Sequence, residues 1–175
     1  MSINSIKLGQ GQNIPLKLGE ELLTPGNTVE VELKVPATIQ GPKRIETAKG
    51  KIWITDQRVI FIANSIDNPG PSTITSSQPN PPKYDSPPIL SSIEIPYLVM
   101  KFVNYNLPTF SANHILIKFI PIENNNSLPN PGIGQFIELK LWIGEGLGHS
   151  IWKRIEGEKN KQEEKFKNLQ EETLR

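Results

Sequence analysis

Lys49-Gly50-Lys51-Ile52-Trp53-Ile54-Thr55-Asp56-Gln57-Arg58-Val59-Ile60-Phe61 is the stretch from which the fold is read. Lys51–Ile54 and Arg58–Ala63 are two apolar, β-branched runs, and branched side chains favour an extended, pleated backbone. Thr55, Asp56 and Gln57 between them suit a turn, so the pair reads as a β-hairpin. Upstream, Thr28–Val35 alternates strictly. Val29, Val31, Leu33 and Val35 fall on one face, and Glu30, Glu32 and Lys34 on the other, which describes a half-buried antiparallel strand. Pro36–Lys43 connects it to the hairpin.

Downstream, Asn64–Ser92 breaks the pattern. Seven prolines fall between Pro69 and Pro88, with Ser, Asn and Thr in the gaps. Such a segment buries too little to offset its ordering entropy, and the expectation is a disordered Pro-rich insertion at 65–91. Strand character resumes at Ile93, with Pro96 marking an edge or bulge. Leu98–Tyr105, Asn113–Ile122 and Gln135–Ile143 read as further strands, the last two separated by an Asn-, Pro- and Gly-rich loop. After Gly144 the period changes. Leu147, Ile151, Trp152 and Ile155 recur at helical spacing, and past Gly157 the chain is almost wholly charged, with Phe166 and Leu169 a weak i,i+3 pair. This predicts one amphipathic helix packed on the sheet, continuing as a solvated or frayed charged helical tail over 157–175. Residues 1–26 form a polar N-terminal extension with Ile14, Leu16, Leu18, Leu22 and Leu23 as its anchors. The class is mainly β (α+β): an antiparallel PH-like barrel over 27–156, capped by a C-terminal helix.

Composition narrows the chemistry. The 175 residues contain no cysteine, which removes disulfides, thiolate metal sites and cysteine nucleophiles. A net charge of +1 argues against a surface that coats nucleic acid, and no sequence-specific nucleic-acid binding is expected. No stretch approaches the ~18 apolar residues of a membrane span, and Met1–Glu20 lacks a signal-peptide core, so a cytoplasmic or nuclear location is expected.

Three blocks resemble GRAM domains, and within that group the WW-domain-binding protein 2 family. Lys49–Phe61 resembles the KGxxxxTxxRVIF core. Ile95-Pro96-Tyr97-Leu98-Val99-Met100-Lys101 resembles the Pro-aromatic-x-x-Met-Lys strand. Pro108-Thr109-Phe110-Ser111-Ala112-Asn113 resembles the Pro-x-Phe-Gly-Ala-Asn turn, with Ser111 where Gly is usual. With the closing strand and helix the likeness spans 27–156. It implies a PH-like, non-catalytic adaptor that engages WW-domain proteins such as HECT-type ubiquitin ligases, and in animal members a transcriptional coactivator. Arg58 lies inside the first block, which points to a structural salt bridge or a tether. Relatives carry Pro-Pro-x-Tyr motifs in a C-terminal tail; here one motif sits in the insertion between two core strands.

That motif is Pro81-Pro82-Lys83-Tyr84. Two prolines in a polyproline II turn slot between aromatic rings of a WW domain, and the tyrosine fills a neighbouring groove. The competing reading is a bare stiff linker. A second candidate is the basic set Lys43, Arg44, Lys49 and Lys51 beside the hairpin, which suits a phosphoinositide headgroup, against the plainer reading of a solvated face diluted by Glu46. Gly144-Glu145-Gly146-Leu147-Gly148 lacks the third glycine and the βαβ context of a dinucleotide loop, and reads as a strand-to-helix turn. His114 and His149 lie on separate elements without a motif. No nucleophile motif, metal set or cofactor pattern is present, so no enzyme activity is expected. Trp152 reads as core packing, with Trp53 and Trp142 open as contact residues.

Overall fold

The computed structural model describes residues 2–6, 14–39, 41–64, 90–121 and 128–173. β2 (Asn27–Val35) keeps the expected alternation, with Val29, Val31, Leu33 and Val35 buried. It pairs along its whole length with β3 (Arg44–Ile54), Asn27 opposite Ile52 and Val35 opposite Arg44. β3 turns at Asp56–Gln57 into β4 (Arg58–Ala63), and β4 pairs with β5 (Ser92–Pro96). A single 3-10 turn, Tyr97–Val99, leads into β6 (Met100–Asn106), followed by β7 (His114–Phe119) and β8 (Ile137–Ile143). β8 returns to β2, with Val31 opposite Leu141. A two-residue strand, β1 (Ser2–Ile3), lies on the outer edge of β5. The order is β1-β5-β4-β3-β2-β8-β7-β6, antiparallel throughout.

The sheet curls around one apolar core to which every strand from β2 to β8 contributes. α1 (Gly148–Thr173) caps it, packing on the 3-10 turn, β6 and β7 through Ile151 and Ile155. This is the capped antiparallel barrel expected from the strand pattern. The helix is longer than its apolar stripe: it continues unbroken to Thr173, supported by Lys159–Glu163 and Glu158–Lys161 pairs at i,i+4 and i,i+3. Leu98 and Val99, read as strand, form the 3-10 turn instead. Among the described residues no helix is long and apolar enough to cross a membrane.

β3 starts at Arg44, seven residues before the apolar run. Its inward positions there are Arg44, Glu46, Ala48 and Gly50, none of which signals a buried strand face. Gly50 is required by packing, because a Cβ would lie 2.1 Å from the Ile62 carbonyl oxygen. β4, in contrast, is apolar at successive positions because both its faces are covered. Val59 and Phe61 face the core, while Ile60 and Ile62 join Trp53 and Ile14 in a second cluster on the outside of the sheet. Residues 14–26 run over this outer face. Gly26 sits directly on the Trp53 ring, where a Cβ would come within 2.7 Å. Of the expected anchors, Ile14 is buried and Leu23 packs on the core, whereas Leu16, Leu18 and Leu22 are exposed.

Candidate functional site

Pro81, Pro82 and Tyr84, with the rest of 65–89, lie outside the described residues. The ends of that connection are described. Ala63 N–H donates to Ser91 O at 2.8 Å, Asn64 N–H donates to Lys49 O at 2.9 Å, and Leu90 is buried in the core. The two ends of the connection thus lie on adjacent, paired strands.

The four basic candidates do not converge. The pleat of β3 sends Arg44 to the inner face, beside buried Glu46, and sends Lys49 and Lys51 to the outer face. Lys49 pairs with Glu30 at 3.6 Å. It belongs to a row of cross-strand ion pairs on the outer sheet surface. Glu32 pairs with Lys140 at 2.7 Å, and Glu138 is shared by Lys34 at 3.2 Å and Lys118 at 3.0 Å. Burial disfavours the charged form of Glu138, but its two lysine partners outweigh that and hold its pKa below the ordinary value. Lys43 is exposed in the β2–β3 loop, apart from Lys49, which is exposed on the strand.

Arg58 is a buried strut, 4% exposed. Its Nε and Nη2 donate to the two Glu20 carboxylate oxygens, each at 2.8 Å; Nη2 also donates to Pro15 O at 2.9 Å, and Nη1 to Glu94. Thr55 Oγ1 and the Lys17 amide complete the shell of Glu20, both at 2.7 Å. Burial opposes ionisation of Glu20, yet these donors outweigh it and hold the pKa at about 2. The N-terminal segment is therefore latched to the hairpin by a charge-assisted fork. Tyr97 supports the same turn, donating its hydroxyl to Thr55 O at 2.8 Å, and burial pushes its pKa up.

Trp53 is buried beneath the N-terminal segment. Trp152 donates Nε1–H to Val103 O at 3.3 Å and stacks on Tyr105. Trp142 lies beside His114 with Lys140 Nζ 5.9 Å from its ring centroid. His149 packs against both Tyr105 and Trp152. The Gly144–Gly148 segment is a turn, with Glu145 and Gly146 in the left-handed region. Among the described residues no group of three or more potential ligands is placed to hold a metal ion.

Two residues invisible to periodicity stand out. Ile39, in the β2–β3 loop, and Ile133, in the β7–β8 loop, are 108% and 106% exposed. β2 and β8 are neighbours, with Lys34 opposite Glu138, so both loops rise from the same end of the sheet. The only hint in the sequence is a lone isoleucine among turn formers, in Thr38-Ile39-Gln40-Gly41 and Pro131-Gly132-Ile133-Gly134.

No protein-family model and no curated protein sequence matches the chain. Among solved structures it is similar to one described as the Vps36 N-terminal PH domain, with a TM-score of 0.55 and 13% identity over 91% of this chain and 94% of that one. The fold is PH-like. At this identity the likeness carries architecture alone, and it agrees with the strand order and capping helix above.

Proposed function

We propose that this chain is a non-catalytic adaptor of the GRAM type, in which a PH-like barrel presents Pro81-Pro82-Lys83-Tyr84 to a WW-domain protein, a HECT-type ubiquitin ligase or a transcriptional regulator. The observation that carries this reading is the motif itself, in the connection between β4 and β5. Its two ends are anchored on paired strands. A ligand tethered at both ends has fewer conformations to lose on binding than one on a free tail. The filled barrel interior leaves recognition to loops and surfaces. A synthetic peptide of residues 76–90 should bind a WW domain weakly and saturably, and Tyr84→Ala should abolish binding. Phosphorylation of Tyr84 should do the same, because a dianion does not enter an apolar groove without a large desolvation cost. Equal binding by the wild-type and Tyr84→Ala peptides would remove the reading.

A second reading, a peripheral module on a phosphoinositide membrane, rests on Ile39, Ile133 and the exposed Lys43 at one end of the sheet. Two isoleucines entering the acyl boundary contribute roughly 1.5–3 kcal/mol each, with anionic lipid adding attraction for the lysine. The double substitution Ile39→Asp/Ile133→Asp is then expected to lower flotation with phosphoinositide liposomes at least about tenfold. Identical partitioning of wild-type protein with and without phosphoinositide would exclude it.

A further inference from the structure

β3 is longer than its partner on one side. β2 covers it from Arg44 to Ile52, but β4 pairs with it only from Gly50 to Ile54. The direction of its backbone groups follows from two bonds: Thr55 N–H donates to Arg58 O at 3.1 Å, and Asn64 N–H donates to Lys49 O at 2.9 Å. Odd-numbered residues of β3 therefore aim their N–H and C=O toward the β4 side. For Ile45 and Thr47 that direction leads past the end of β4, where no strand lies among the described residues. A cleft of about 270 Å³, lined by Thr47, Ala48, Ala63 and Leu90 among others, runs beside this edge. An open strand edge is a template for another strand.

The side chains along the edge identify the partner. Glu46 is 6% exposed and lies 3.1 Å from Arg44 Nε. Yet neither Glu46 carboxylate oxygen nor Arg44 Nε has a hydrogen-bond partner. Burial holds the Glu46 pKa above its ordinary value despite the arginine. The two form an ion pair without hydrogen-bond geometry and face inward, on either side of Ile45, which faces outward and is 52% exposed.

We propose that this edge is an interface between two copies of this chain, whose β3 strands pair antiparallel about a twofold axis through Ile45. In that register Ile45 faces Ile45 of the second copy as a hydrogen-bonded pair, and Thr47 exchanges backbone bonds with Lys43. Arg44 of each copy stands directly opposite Glu46 of the other, with Cβ atoms about 5 Å apart. The Arg44–Glu46 pair, poorly aligned within one copy, thus gains a second, cross-strand partner for each group, and the two exposed isoleucines cover one another. The edge is self-complementary in charge as well as in backbone pattern, as a twofold contact requires.

Sedimentation equilibrium of the full chain tests this. Wild-type protein should dimerise reversibly. Ile45→Lys sets two like charges against each other from an exposed position and should raise the dissociation constant about 100-fold or more. Thr47→Pro removes an N–H that no strand among the described residues uses and should also give a monomer, with an unchanged circular dichroism spectrum. Glu46→Arg should be monomeric, and Arg44→Glu/Glu46→Arg should dimerise again. A wild type that stays monomeric up to about 1 mM overturns the proposal and leaves the edge to some other chain. A dimer indifferent to both Ile45→Lys and Thr47→Pro overturns it equally.

Discussion

Arg58→Met should destabilise the fold by about 3–5 kcal/mol, because the Glu20 carboxylate is left buried without its counter-charge. At this chain length that corresponds to a fall of roughly 10 °C in Tm. The loss should be regional as well as global. Residues 14–26 are held by Arg58 through Glu20 and Pro15, and they cover Trp53. Acrylamide should therefore quench tryptophan fluorescence more readily in the variant, even in conditions where it remains folded. Replacing the whole cluster, Arg58→Met with Glu20→Leu and Glu94→Leu, should recover most of the stability, since the burial penalty disappears with the charges. The latch also has a pH signature. The folded pKa of Glu20, about 2, lies below its ordinary 4.5. Its contribution is fully present above pH 4.5 and is lost as pH falls through 2. Urea midpoints measured across that window should fall steeply for wild type and less steeply for Glu20→Gln. A Glu20→Gln slope equal to wild type would contradict the latch.

Gly50→Ala should cost about 3 kcal/mol or more, although it adds a single methyl group. The obstacle is backbone: the new Cβ would meet the Ile62 carbonyl oxygen at 2.1 Å and Ala63 Cα at 2.7 Å. Relief requires β3 and β4 to separate where the Pro-rich connection begins. Gly157→Ala is the matched control. It lies in α1 with nothing within 4 Å of its Cβ, and should stabilise by about 0.5–1 kcal/mol. Urea unfolding of the two variants should move in opposite directions from wild type.

What the sequence discloses depends on whether burial leaves a periodic trace. β2 and β8 are legible because one face is apolar and the other carries the ion pairs. β4 is legible as a fully apolar run, but which segment covers its outer face is not. The cover is a polar stretch held by one buried isoleucine, a glycine on an indole ring and a carboxylate under an arginine. The first half of β3 is hidden for a similar reason, since its inward face holds Arg44 and Glu46. The basic candidates show the opposite failure. Lys43, Arg44, Lys49 and Lys51 are close in sequence, but strand alternation and the Glu30 and Glu46 pairings disperse them. The exposed Ile39 and Ile133 approach through the β2–β8 pairing, a relation between segments nearly a hundred residues apart that no local pattern encodes.

The most direct measurement of the proposed function is isothermal titration of the intact chain with an isolated WW domain, alongside Tyr84→Ala. Tyr84 belongs to the stretch of sequence between β4 and β5, outside the described residues, and both proteins are expected to unfold at the same temperature. The account predicts saturable binding of one WW domain per chain by wild type and no detectable heat from the variant. Equal titration of both proteins, or of neither, would contradict it.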